Sequence, residues 1–113
     1  MPDPLDRQIR ETVASGRAYT LVLLWAGPVR DHGAAEADRL QRAHLRHLFT
    51  LRNEGSLLLN GPVLDDGELV GIGIFAGQDC DAVRAFAEAD PSVKAGRLRV
   101  DVRPLFGIPG DTI

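Results

Sequence analysis

Cysteine is almost missing from this chain. Cys80 stands alone, so no internal disulfide can form, and the Cys-x-x-Cys spacing of zinc and thiol-redox sites is absent. A basic surplus is missing as well. The formal net charge is -3, whereas a partner bound through its phosphates needs clustered Lys and Arg, so nucleic acid is not an expected partner. Long apolar runs are missing too. The longest, Leu21 to Ala26, falls far short of the roughly 20 residues that span a bilayer. The opening stretch MPDPLDRQIRETVASG is charged throughout and lacks the apolar core of a secretory signal. The expectation is a cytoplasmic protein with no membrane partner.

What is present suits one globular domain. A chain of 113 residues can bury a modest core but not two, and 44% hydrophobic with 26% charged residues excludes a disordered or collagen-like chain. Asp3 and Pro4 read as an N-cap and first helical position, with Leu5, Ile9 and Val13 on one face before Ser15-Gly16 stops the pattern. This short helix makes residues 1–17 an N-terminal extension to a domain over 18–113. Residues 18–27 form the first strand: Tyr19, Leu21, Leu23 and Trp25 point one way, Thr20, Val22, Leu24 and Ala26 the other. A helix follows from about Gly33 to Arg52, with Gly55 as its C-terminal cap.

Ser56 to Pro62 and Glu68 to Gly77 are strands joined as a hairpin through the Asp65-Asp66-Gly67 turn. Asp79 to Asp90 reads as a second helix, stopped by Pro91. Arg97 to Pro104 is a last strand, with Leu98, Val100 and Val102 alternating against Arg97, Arg99, Asp101 and Arg103. The tail from Leu105 reads as irregular. The order β-α-β-β-α-β packs as a four-stranded antiparallel sheet with both helices on one face, the ferredoxin-like α+β arrangement. That leaves the other sheet face bare, yet the first strand is apolar on both sides. Either a second copy covers it as a homodimer, or the N-terminal helix or the C-terminal tail lies across it.

RAHLRHL, residues 42–48, raises the question of chemistry. With about 100° per residue, Ala37, Leu40, Leu48 and Leu51 all fall within about 40° of His44, which places His44 in the buried stripe. His47 lies at the edge of that stripe, and the i, i+3 spacing of the two without an adjoining Glu is poor for zinc. On the other helix Asp90 is about 20° from Val83, in line with Phe86 and Ala87. Asp90 has two readings. It can cap a new turn, PSVKAG, closed by Gly96; or, since the two helices bring these residues to the same edge of the sheet, it can approach His44 and fix the imidazole tautomer for general acid/base work.

Other motifs are weaker. GIGIFAG puts its glycines in a strand with the wrong spacing for a dinucleotide loop, so no nucleotide is expected. Gly71 and Gly73 leave a strip of one strand face without side chains. Cys80 reads as a small buried filler without an acid-base partner. Arg97, Arg99 and Arg103 form a solvated edge or hold an anionic substrate together.

The combination of AHL in the first helix, LLLNGP at the second strand and EADPSVKAG before a strand ending VRP resembles the YCII-related family of the dimeric α/β-barrel superfamily, over most of Tyr19 to Phe106. The resemblance implies a ferredoxin-like protomer, a homodimer, and a His/Asp site carried onto His44 and Asp90. Reactions implicated in the family include lyase-like elimination from substituted aromatic diols. Ser92 stands where an aromatic residue is common, which points to a pocket of altered shape. The resulting expectation is a cofactor-free dimeric enzyme, with no metal, in which His44 moves a proton and Asp90 orients it. Asn60 would polarise a substrate oxygen, and Trp25 and Arg103 are further substrate-binding candidates. The rival expectation is a non-catalytic dimeric module that binds a small molecule or a protein, with His44 buried and Asp90 capping.

Overall fold

A computed structural model describes residues 3–77, 79–108 and 110. The elements in order are α1 (Pro4–Ala14), β1 (Arg17–Ala26), α2 (Ala34–Asn53), β2 (Leu57–Pro62), β3 (Leu69–Ala76), α3 (Cys80–Glu88), α4 (Pro91–Lys94) and β4 (Leu98–Gly107). The four strands form a single antiparallel sheet in the order β2-β3-β1-β4. This is the ferredoxin-like topology expected from the order of elements. Among the described residues no helix is long and apolar enough to cross a membrane.

Alternation along β1 decides which face is buried. Thr20 and Val22 are buried and Leu24 is half-buried on the helix side, where Val22 joins Leu51, Leu57, Phe75, Val83 and Val102 in the core. Removing each such Val, Leu or Phe side chain from water contributes about 1.5–3 kcal/mol. Cys80 packs against this core, in keeping with a filler role. Tyr19, Leu21, Leu23 and Trp25 lie on the opposite face and are half-buried. The hairpin turn is stabilised by the Asp65 carboxylate, which accepts from the Gly67 N–H at 2.9 Å.

Helix signals act as the sequence indicates. Asp3 caps α1 by accepting from the Leu5 N–H at 2.8 Å, and Gly55, at φ 84°, follows the end of α2 in the left-handed conformation. On the exposed side of α2, the Arg39 guanidinium hydrogen-bonds Glu36 and holds its carboxyl below the usual range.

Two boundaries differ from expectation. The second helix stops at Glu88, short of Asp90, and Pro91–Lys94 form the separate turn of helix that the capping reading of Asp90 expects. Strand β4 runs on through Leu105–Gly107, because Arg17, Ala18 and Tyr19 of β1 supply partners for those residues. The rest of the expected irregular tail includes Pro109 and residues 111–113, which lie outside the described residues. Helix α1 covers neither sheet face: Leu5, Ile9 and Val13 are about half exposed, at 59%, 51% and 48%.

Candidate functional site

Helix α2 lies across the sheet on the side of Val22 and Leu24, and α3 with α4 packs beside it. His44 falls in the buried stripe of α2 because Leu40 and Leu51 on either side of it enter the protein interior, at 1% and 6% exposed. Asp90 sits in the break between α3 and α4, just 2% exposed. A carboxylate there needs partners, since burial of an unpaired charge is costly. It has two. Oδ1 accepts from the Ser92 N–H at 2.9 Å, which caps α4, and Oδ2 meets Nδ1 of His44. Asp90 thus caps α4 with one oxygen and meets His44 with the other.

The pair dictates the histidine tautomer. A carboxylate oxygen only accepts, so Nδ1 of His44 carries the hydrogen, and Nε2 is left to give or take a proton. The His44 side chain is 12% exposed and lines a cleft of about 360 Å³. The floor of this cleft is the strip at Gly71, where a Cβ would meet Leu24 Cδ1 at 3.4 Å and the Gly61 carbonyl at 3.3 Å. Leu45 and Leu48 of α2 supply apolar wall. Ser92, buried with its hydroxyl donating to the Leu40 carbonyl at 3.2 Å, ties α4 to α2 behind the pair.

Asn60 also lines the cleft, and its Oδ1 accepts from Arg52 at 2.9 Å, which leaves the amide N–H groups for another acceptor. Trp25 and Arg103 are not brought to this place. Trp25 lies on the opposite sheet face, donating to Asp101 Oδ2 at 3.1 Å beneath Arg99, and Arg103 pairs across from Leu21 on that same face. His47 does not turn toward His44's partner. Its Nε2 donates to the Phe86 carbonyl at 2.6 Å and joins α2 to α3. Among the described residues no group of His, Cys, Asp and Glu is placed to hold a metal ion.

Sequence reasoning misses Gln41 and Arg30 in the cleft wall and groups Arg97 with the wrong neighbours. Arg97 precedes β4 and lines the cleft, apart from Arg99 and Arg103. Gln41, one turn before His44 on the same helix, carries a detectable signal in its spacing. Arg30 carries none, because its position depends on a long-range pairing of Gly27 with Arg97.

The matching sequence model is that of the YCII-related domain, over residues 20–105. The chain belongs to this family. Among solved structures, this YCII-related chain is similar to 5-chloro-2-hydroxyhydroquinone dehydrochlorinase from Burkholderia phenoliruptrix AC1100, in complex with 2,5-dihydroxybenzoquinone. The TM-score is 0.57 at 24% identity, with 75% of this chain and 90% of that one covered, a likeness in fold. No curated protein matches the chain.

Proposed function

We propose that this YCII-related protein is a cofactor-independent enzyme that carries out general acid/base chemistry, of lyase or isomerase type, on a small enolic or hydroxylated aromatic compound. The observation that carries this reading is the Asp90–His44 pair on the wall of a cleft of about 360 Å³, with Nε2 as the ring nitrogen available to a ligand. The likeness to a dehydrochlorinase agrees with it. In an elimination, Nε2 takes the proton from a substrate C–H or O–H. The electron pair left behind moves through the conjugated system, and the leaving group departs with the electrons of its own bond. In an isomerisation the same proton returns at another carbon. Asp90 steadies the imidazolium formed in either case, and the Asn60 amide donates to the oxygen on which charge accumulates.

A homodimer belongs to this proposal, since Leu21, Leu23 and Trp25 leave an apolar sheet face for a second copy to cover. Trp25 and Arg103 then lie at the intersubunit face. The test is proton exchange and elimination in D₂O with chlorinated hydroquinols and enolisable cyclic ketones, followed by NMR and chloride release. Turnover by the native protein that falls about 10²–10⁴-fold in His44→Gln is expected for a general acid/base residue. Turnover equal in the two would remove His44 as the acid/base residue, and no turnover by the native protein would favour a binding module.

A further inference from the structure

Two arginines line the cleft together with His44. Arg30 comes from the loop between β1 and α2, and Arg97 from the turn between α4 and β4. The two segments are bound into one piece. The Arg97 carbonyl accepts from the Gly27 N–H at 2.8 Å and from Arg30 Nη1 at 2.7 Å, and the Gly96 carbonyl accepts from the Val29 N–H at 3.0 Å. The piece is also registered to the acid/base pair. The Arg97 N–H donates to the Ser92 carbonyl at 3.0 Å, and the Ser92 N–H caps onto Asp90.

Among the described residues neither guanidinium is in an ion pair with a carboxylate. The Arg97 Nη1 has His32 Nδ1 at 3.4 Å, a neutral acceptor when unprotonated, and Asp90 is already committed to His44 and Ser92. Arg30 uses one of its five donors on the Arg97 carbonyl, which fixes the direction of the fork and leaves the others unspent. Two cations that line one cleft repel each other until an anion joins them, and a planar fork fits the two oxygens of a carboxylate.

We propose that Arg30 and Arg97 form a carboxylate-binding subsite, so that the substrate is a small organic acid whose reacting carbon or hydroxyl lies against His44. This rests on the acid/base reading for the reaction, but the binding of the carboxylate does not require it. Leu45 and Leu48 line the same cleft and suit the apolar body of a cyclic acid.

The test is calorimetric titration with 2,5-dihydroxybenzoate and with 2,5-dihydroxybenzamide, which keeps the shape without the charge. The native protein should bind the acid at least about tenfold more tightly, the size expected of charge-assisted hydrogen bonds. Arg30→Gln and Arg97→Gln should each remove most of that preference, while His44→Gln keeps it. Equal affinity for the two probes, a preference that survives the double Arg substitution, or no binding of the acid at millimolar concentration would overturn the subsite. If Arg97→Gln does not fold, Arg30→Gln, an exposed loop position, decides alone. The acid/base reading fails by a different result, turnover that persists in His44→Gln, so the two failures are told apart.

Discussion

Asp90 spends one oxygen on closing the turn into α4 and the other on His44, and the two duties separate by substitution. Asn is as good an N-cap as Asp, so Asp90→Asn keeps the bond from Ser92 through its amide oxygen. Its NH₂ then faces His44 and donates, which moves the imidazole hydrogen to Nε2 and takes away the proton acceptor in the cleft. Turnover should fall by about 10²–10⁴-fold while urea denaturation shows a stability loss within about 1 kcal/mol. Asp90→Ala loses the cap and strands buried donors, and the same denaturation should show a loss of about 2–4 kcal/mol. At this scale the sequence is informative where one element decides. The angular position of His44 follows from the neighbours on its own helix and the capping by Asp90 from local chemistry, whereas the approach of Asp90 to His44 follows from the order of elements, which brings the two helices to one edge of the sheet. Arg30 is silent in the sequence, since nothing near it foretells the carbonyl of Arg97.

Among the elements, the meeting of the β1–α2 loop with the turn before β4 positions the cleft wall, and Gly27 makes that meeting possible. A Cβ at Gly27 would lie 2.1 Å from the Gly96 carbonyl oxygen, a backbone atom that cannot turn aside. Gly27→Ala should therefore push the two segments apart and destabilise the fold by about 1–3 kcal/mol, read from chemical denaturation. It should also weaken binding of a carboxylate probe, because Arg30 and Arg97 lose their common anchor. The strands and the long helix are legible in the sequence through alternation and helical period. So is the restart of the chain at Pro91 through the Asp90 cap, but the last residues of β4 are not. Leu105 to Gly107 are extended because Arg17, Ala18 and Tyr19 pair with them, a contact between distant parts of the chain.

For the whole molecule, the sheet divides two environments: a helix-covered side that holds the His44 cleft, and an opposite side where Leu21, Leu23, Ile72 and Trp25 are half-buried. Sedimentation at micromolar concentration should give a dimer, and Leu23→Glu should give a folded monomer; a native monomer would remove the intersubunit face. The four-stranded topology is legible because the order of elements admits few packings, whereas the direction taken by α1 is not. Its apolar stripe is plain in the sequence, but what it meets is a property of the surroundings. The joining of cap and pair in one carboxylate also bears on how this protein can change. Gln41 and Leu45 are exposed cleft residues on α2, free to vary without disturbing that carboxylate. A laboratory selection for new substrates should therefore accumulate its substitutions on that wall. Variants that put a residue other than Asn or another capping type at position 90 lose the cap, and they will be culled first for failing to mature, before their chemistry is ever sampled.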